Sequence, residues 1–215
     1  MNELRARVIS QQKGLYKISN GTEVKSASVS GRYRYETRTV SDYPAVGDYV
    51  IAEWPDDDSY AVITGLFPRK SCFIRKAAGT GNQEQVVAAN VDTVFICMSL
   101  NNNFNIRRLE RYLAVTYDSG AVPVVVLTKS DICSDTESKI CEVRDAAPGV
   151  DVLAISSLDG NYEMIMNYIL PGRTVAFIGS SGVGKSTLIN KLTGTDSIAT
   201  REIGNDDKGR HTTTH

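Results

Sequence analysis

The sequence predicts two units in series: a small all-β barrel, then an α/β domain built on a parallel sheet. Three observations carry this. Residues 1–75 hold short stretches of alternating character with no helix-period pattern. From residue 91 onward, near-continuous apolar strands alternate with helical segments. Between the last strand and the last helix stands a glycine-rich loop running into Lys-Ser-Thr. A chain of 215 residues is long enough for two modest cores.

In the first unit the stretches are LRARVI, GLYKI, TEVKSASV, RYRYE, GDYVIAEW and YAVITGLF. Asn20-Gly21 and Asp56-Asp57-Asp58-Ser59 read as hairpin turns. Five or six short strands predict an OB-type barrel, although periodicity alone does not separate it from an SH3-like one. Residues 76–90 carry Gly, Thr and Asn and read as a linker.

In the second unit, residues 91–215, DTVFICMSL is a buried strand and IRRLERYLAVTYDSG a helix. Ile106, Leu109, Leu113 and Tyr117 share a face of that helix, and Gly120 stands at its C-terminal cap. AVPVVVLT is the next strand. Ser134 and Glu137 spell a capping box for the helix after it. VDVLAIS, GNYEMIMNYIL, RTVAFIG and KSTLINKLTG read as strand, helix, strand and helix, the pattern of a parallel sheet wrapped by helices.

Composition narrows the function classes. Hydrophobic residues are 41%, charged residues 23%, and the net charge is −1. There is no whole-molecule bias towards polyanions, so any nucleic-acid argument rests on local patches. No run approaches the ~18 apolar residues of a membrane span, and MNELRARVISQQKG lacks the apolar core of a signal peptide. Cys72, Cys97, Cys133 and Cys141 form no CxxC pair. Reduced thiols in a cytoplasmic protein without membrane association are expected.

Gly179-Ser180-Ser181-Gly182-Val183-Gly184-Lys185-Ser186-Thr187 matches G-x-x-x-x-G-K-[ST], and it lies between a strand and a helix, where a phosphate loop belongs. Its glycines let backbone N–H groups curl round phosphates, and the following helix adds its positive end. Lys185 is expected on the β- and γ-phosphates and the Ser186 hydroxyl on Mg²⁺. The motif does not choose between ATP and GTP.

The base site is expected upstream. Thr128-Lys129-Ser130-Asp131 resembles the [NT]-K-x-D element of translation-factor-type GTPases, whose Asp accepts from guanine N1–H and the exocyclic amine. Adenine offers neither donor, which leaves that carboxylate unpaired at ~1–3 kcal/mol. Lys129 would lay its stem along the purine. Thr128 stands where the family usually has Asn. Ser156-Ser157-Leu158 ends the next strand and resembles the turn whose backbone N–H meets guanine O6. Both base elements precede the phosphate loop, the reverse of ordinary small GTPases, so a circular permutation is inferred.

QVVAANVD, FNIRRLERYL, TKSD, the phosphate loop and GRHTTTH together resemble the circularly permuted ribosome-small-subunit-dependent GTPase A family, over essentially the whole chain. The resemblance implies an OB fold, a permuted GTPase domain and slow GTP hydrolysis stimulated by the small (30S) ribosomal subunit. It also implies a role in late maturation of that subunit, with GTP/GDP and Mg²⁺ as ligands and a monomeric state. Residues 209–215 match the family's first switch. One of Thr212, Thr213 and Thr214, with Thr213 as the working choice, would ligate Mg²⁺, and His211 would position or deprotonate the attacking water. Asp206-Asp207-Lys208-Gly209 spells D-x-x-G but has no strand leading into it and reads as a decoy. The family's own D-x-x-G element and Cys/His zinc domain are missing. Zinc is therefore expected only in that missing domain, and the chain reads as a fragment.

Residues 1–40 hold eight Lys/Arg against three acids. Arg5, Arg7, Arg32, Tyr33, Arg34 and Tyr35 are the candidate contacts to 16S rRNA, the arginines for phosphate and the tyrosines for stacking. Tyr16 is interleaved with the same basic residues. Two other readings stay open: a nucleotide- and RNA-binding fragment without turnover, and a P-loop ATPase that merely carries a T-K-x-D turn.

Overall fold

The computed structural model describes residues 2–12, 14–76, 84–156 and 161–195. They fall into two units that divide between Val91 and Asp92. In the first, β1 (Asn2–Gln12), β2 (Leu15–Ser19), β3 (Val24–Val29), β4 (Tyr49–Trp54) and β5 (Ala61–Leu66) close into a barrel. Their order is β1-β2-β3-β5-β4, with β3 and β5 parallel and the other pairs antiparallel. This five-stranded closure is the OB arrangement and decides against the SH3-like alternative. Alternation sends Ala6, Val8, Tyr16, Ile18, Val50, Ala52, Trp54 and Ile63 inward. At the β2–β3 turn, Asn20 Oδ1 accepts from the N–H groups of Thr22 and Glu23 at 2.9 and 2.8 Å, with Gly21 at φ 101°.

Two expectations fail in this unit. RYRYE is not a strand but helix α1 (Gly31–Glu36), whose N-cap Ser30 accepts from the Tyr33 N–H at 3.0 Å. As a strand it would have set Tyr33 and Tyr35 on one face. The helix separates them, so Tyr33 packs on the barrel while Tyr35 is 91% exposed. The segment read as a linker contains β7 (Glu84–Ala89), paired antiparallel with β6 (Cys72–Lys76). Val86 and Ala89 are buried with Ala45, a core too small to show as a periodic pattern. Residues 77–83 lie outside the described part.

Beside the barrel, Arg69 makes a paired contact to the fully buried Asp48 carboxylate, Nη2 to Oδ2 at 2.7 Å and Nε to Oδ1 at 2.9 Å. The same guanidinium donates to the carbonyls of Ser41 and Tyr43, while Asp48 also accepts from the Ala45 N–H. A buried charge is tolerated because every face of it is met.

The second unit is a parallel sheet in the order β10-β9-β8-β11. Its strands are β8 (Thr93–Ser99), β9 (Val122–Thr128), β10 (Asp151–Ala154) and β11 (Val175–Ile178). Helix α2 (Ile106–Ser119) joins β8 to β9, and α3 (Thr136–Ala146) joins β9 to β10. Helix α4 (Lys185–Thr193) follows β11. Phe95, Cys97, Val124, Val126, Leu153, Ile155, Val183 and Leu188 form the core.

Here the sequence reading errs in three details. Tyr117 is 56% exposed, and Thr116 takes the buried place on α2. No capping box forms on α3, because Asp135 is its N-cap and Glu137 therefore falls one residue short of the reciprocal position. Asn161–Tyr168 is a 3₁₀ segment rather than an α-helix, with Ile165 its one buried residue. Tyr162, Ile165 and Tyr168 pack towards the core at intervals of three residues, the period of a 3₁₀ helix rather than an α-helix.

Candidate nucleotide site

Because the sheet is parallel, the carboxyl ends of all four strands face one side. The chain lays down β8, β9 and β10 outward, then returns to place β11 on the other flank of β8. Crevices that hold ligands in open α/β sheets form at such reversals of direction. The loop after β11 stands at this one.

That loop uses backbone conformations that favour glycine: φ is 147° at Gly179, 77° at Gly182 and 91° at Gly184, the N-cap of α4. A Cβ on Gly179 would run into the Cys97 carbonyl oxygen of β8, so the loop lies flush on the neighbouring strand. Lys185 Nζ donates to the Gly179 and Ser180 carbonyls at 2.8 and 2.7 Å. Burial pushes its ammonium below the usual lysine value, with the nearby Cys97 acting in the opposite sense. Ser186 is half-buried in the first turn of α4, while Ser181 and Thr187 are exposed.

The upstream elements dock on this loop. Thr128 is 1% exposed, and its hydroxyl donates to the Val183 carbonyl at 2.6 Å. Lys129 takes the left-handed conformation at φ 61°, which turns the chain sharply into the 3₁₀ turn Ser130–Ile132. The Ser130 N–H donates to the Ile155 carbonyl at 3.1 Å, binding this turn to the end of β10. Asp131, inside the turn, is exposed and open to a ligand. Ser156 is fully buried, and its N–H donates to Asn161 Oδ1 at 2.7 Å. That donor is engaged within the protein. Ser157 and Leu158, like the His211 and Thr212–Thr214 segment and the Asp206 decoy, lie outside the described residues.

Sequence reasoning missed a third contributor. Ser180 Oγ accepts from Arg108 Nη1 at 3.0 Å and from Asn103 Nδ2 at 3.2 Å. Asn103 follows β8, and Arg108 lies in the first turn of α2. The available signal was charge placement: Arg107 and Arg108 open a helix whose first turn has no acid, against the helix dipole.

On the barrel, the candidate RNA contacts separate. Arg5 is exposed, with its guanidinium carbon 4.1 Å from the Tyr49 ring centre and 5.4 Å from that of Phe67; Arg7 is 5.2 Å from Tyr49. Arg34 and Tyr35 are exposed, and Arg32 pairs with Glu36 at 2.8 Å. Tyr33 is a correction. It stands edge-on to Tyr43, its hydroxyl donates to the Asp42 carbonyl, and burial pushes its pKa up to about 12, so its ring is a packing group. Tyr16 is 3% exposed in the core. Among the described residues no cluster of three or more His, Cys, Asp or Glu could hold a metal, and no helix is long and apolar enough to cross a membrane.

A parallel sheet with its phosphate loop after the last of the described strands, and a T-K-x-D turn docked on that loop from an earlier one, defines a circularly permuted P-loop GTPase fold. The RsgA GTPase family model matches residues 66–215. The chain is 45% identical over 214 residues to the small ribosomal subunit biogenesis GTPase RsgA 2 of Lactiplantibacillus plantarum, covering 99% of this chain and 60% of that protein. The corresponding figures for RsgA of Methanosarcina acetivorans are 40%, 98% and 57%. The chain belongs to the RsgA GTPase family, and it spans about 60% of the length of these relatives. Among solved structures, YjeQ from Thermotoga maritima shares the fold with TM-score 0.74 at 22% identity, covering 93% of this chain and 68% of that one. YloQ, described as a circularly permuted GTPase, superposes with TM-score 0.69 at 25% identity over 90% of this chain and 65% of that one.

Proposed function

We propose that this chain binds GTP and GDP in the cleft between residues 179–187 and 128–131, and turns GTP over slowly on the small (30S) ribosomal subunit during its late maturation. The observation that carries the reading is the bond from Thr128 Oγ1 to the Val183 carbonyl, which ties the base-reading turn to the phosphate loop. Asp131 accepts from guanine N1–H and N2, and Lys129 covers the ring. Gly179 to Thr187 wrap the phosphates, towards which Lys185 swings from the loop carbonyls. Ser186 would supply a hydroxyl to Mg²⁺, which would offset phosphate charge there. Thr213 and His211 join from the switch segment, as ligand and as water-positioning group. The names of the curated relatives support the ribosomal partner. Arg5, Arg7 and Tyr35 on the barrel are suited to contact 16S rRNA by charge and stacking. The protein acts as a monomer in the cytoplasm.

Competition binding tests the assignment. Unlabelled GTP is expected to displace labelled GDP, and ATP is expected to leave it bound; equal displacement by ATP sinks the guanine reading. Phosphate release with and without small subunits tests turnover, which is expected to vanish in Lys185→Ala.

A further inference from the structure

The arginine at the start of α2 has no ordinary structural explanation. A cation in the first turn opposes the helix dipole, and α2 has no acid there to offset it. Among the described residues Arg108 makes no ion pair, although it is half-buried. Its guanidinium donates to neutral oxygens: Asn103 Oδ1 and, at 3.0 Å, Ser180 Oγ. Behind it lies a cavity of about 10 Å³ lined by Cys97, Met98, Leu109 and Tyr112, which supplies no counter-charge. A side chain that adds little to its own helix, yet grips the second residue of the phosphate loop, has its function in the loop.

The contact is also closed on itself. Arg108 Nη1 donates to both Ser180 Oγ and Asn103 Oδ1, and Asn103 Nδ2 donates to the same Ser180 oxygen at 3.2 Å. The three residues come from the loop after β8, from α2 and from the loop after β11. Ser180 follows Gly179, whose close seat on Cys97 begins the turn.

We infer that Arg108 is a positioning residue for nucleotide binding: through Ser180 it holds the first turn of the phosphate loop in its phosphate-accepting shape, with Asn103 fixing the guanidinium. This rests on the phosphate-binding reading of residues 179–187. Its effect on affinity passes through the serine hydroxyl.

The test measures fluorescent GDP binding, with Mg²⁺, by the wild type, Arg108→Ala, Ser180→Ala, the double variant and Arg108→Lys. Thermal midpoints without nucleotide are recorded for each. Loss of one charge-assisted hydrogen bond predicts a Kd about tenfold higher in either alanine variant. The double variant is expected within about twofold of the weaker single one, because both remove the same contact. Arg108→Lys, which keeps a donor and the charge, is expected to recover most of the affinity. Nucleotide-free midpoints are expected to stay within ~2 °C of the wild type. Wild-type affinity in Arg108→Ala overturns the inference, as do multiplying penalties in the double variant, or an affinity loss matched by an equal loss of nucleotide-free stability. A wild type that ignores GDP overturns the nucleotide reading itself, a result distinct from these.

Discussion

Replacing Thr128 with valine removes one hydroxyl from a site with no access to water. The two side chains have nearly the same shape, so the change acts through one hydrogen bond. The partner is the carbonyl of Val183, itself in a fully buried residue, at 2.6 Å. Stranding a buried acceptor costs about 1–3 kcal/mol. For a domain of this size each kcal/mol moves the midpoint by roughly 3 °C, so Thr128→Val is expected to melt roughly 3–10 °C below the wild type. Val183 lies inside the phosphate loop, so part of the cost should fall on binding, as a rise in GDP Kd of about fivefold or more. Thr128→Ser keeps the donor and is expected to recover both quantities. Differential scanning fluorimetry with and without GDP reads them together. Wild-type melting and wild-type GDP affinity in Thr128→Val would refute the claim that this hydroxyl couples the two elements.

Asp131→Asn is expected to weaken GDP and favour xanthosine diphosphate, since an amide donates where xanthine presents a carbonyl; unchanged preference in competition binding shows that Asp131 does not read the base. Arg69→Met strands the buried Asp48 carboxylate and is expected to destabilise the barrel by about 3–5 kcal/mol, followed by urea unfolding. The probe is Trp54, the chain's single tryptophan, which sits in that barrel's core. Cys97 gives a pH signature. Burial pushes its thiol up to about 12 from an ordinary 9.0, so the stability it contributes is complete below pH 9 and is lost as pH rises towards 12. Urea midpoints at pH 8 and 10.5 should therefore fall less in Cys97→Val than in the wild type. Native-state alkylation read by mass spectrometry is expected to modify the exposed Cys141 and to spare Cys97.

The parallel sheet and the phosphate loop were legible because each announces itself locally. Near-continuous apolar runs have few alternatives to buried strands, and a loop that needs three glycines at positive φ shows them in the sequence. RYRYE was misread because strict alternation is a strand signal. The Ser30 cap that starts a helix there carries less weight than the pattern it interrupts. β7 escaped because Val86 and Ala89 need only a small local pocket. In the site, Arg108 and Asn103 were invisible for a different reason. They meet Ser180 across 72 and 77 residues of chain, and no periodicity reports a contact of that range. In the sequence Thr128 shows only as the position where the family usually has Asn. Its bond to Val183 makes it a brace.

The placement of β11 beside β8 has a consequence for how the protein comes into being. Synthesis delivers the turn at Asp131, proposed to read the base, well before Thr187 closes the loop after β11, 56 residues later. At ~5–20 residues per second that is a delay of roughly 3–11 s. During it three strands can pair while the fourth is still unmade. A nucleotide arriving earlier would find only one half of its cradle. On the proposed nucleotide reading, the ligand engages the strand made after β8, β9 and β10, and its binding energy acts to hold the β11–β8 joint closed.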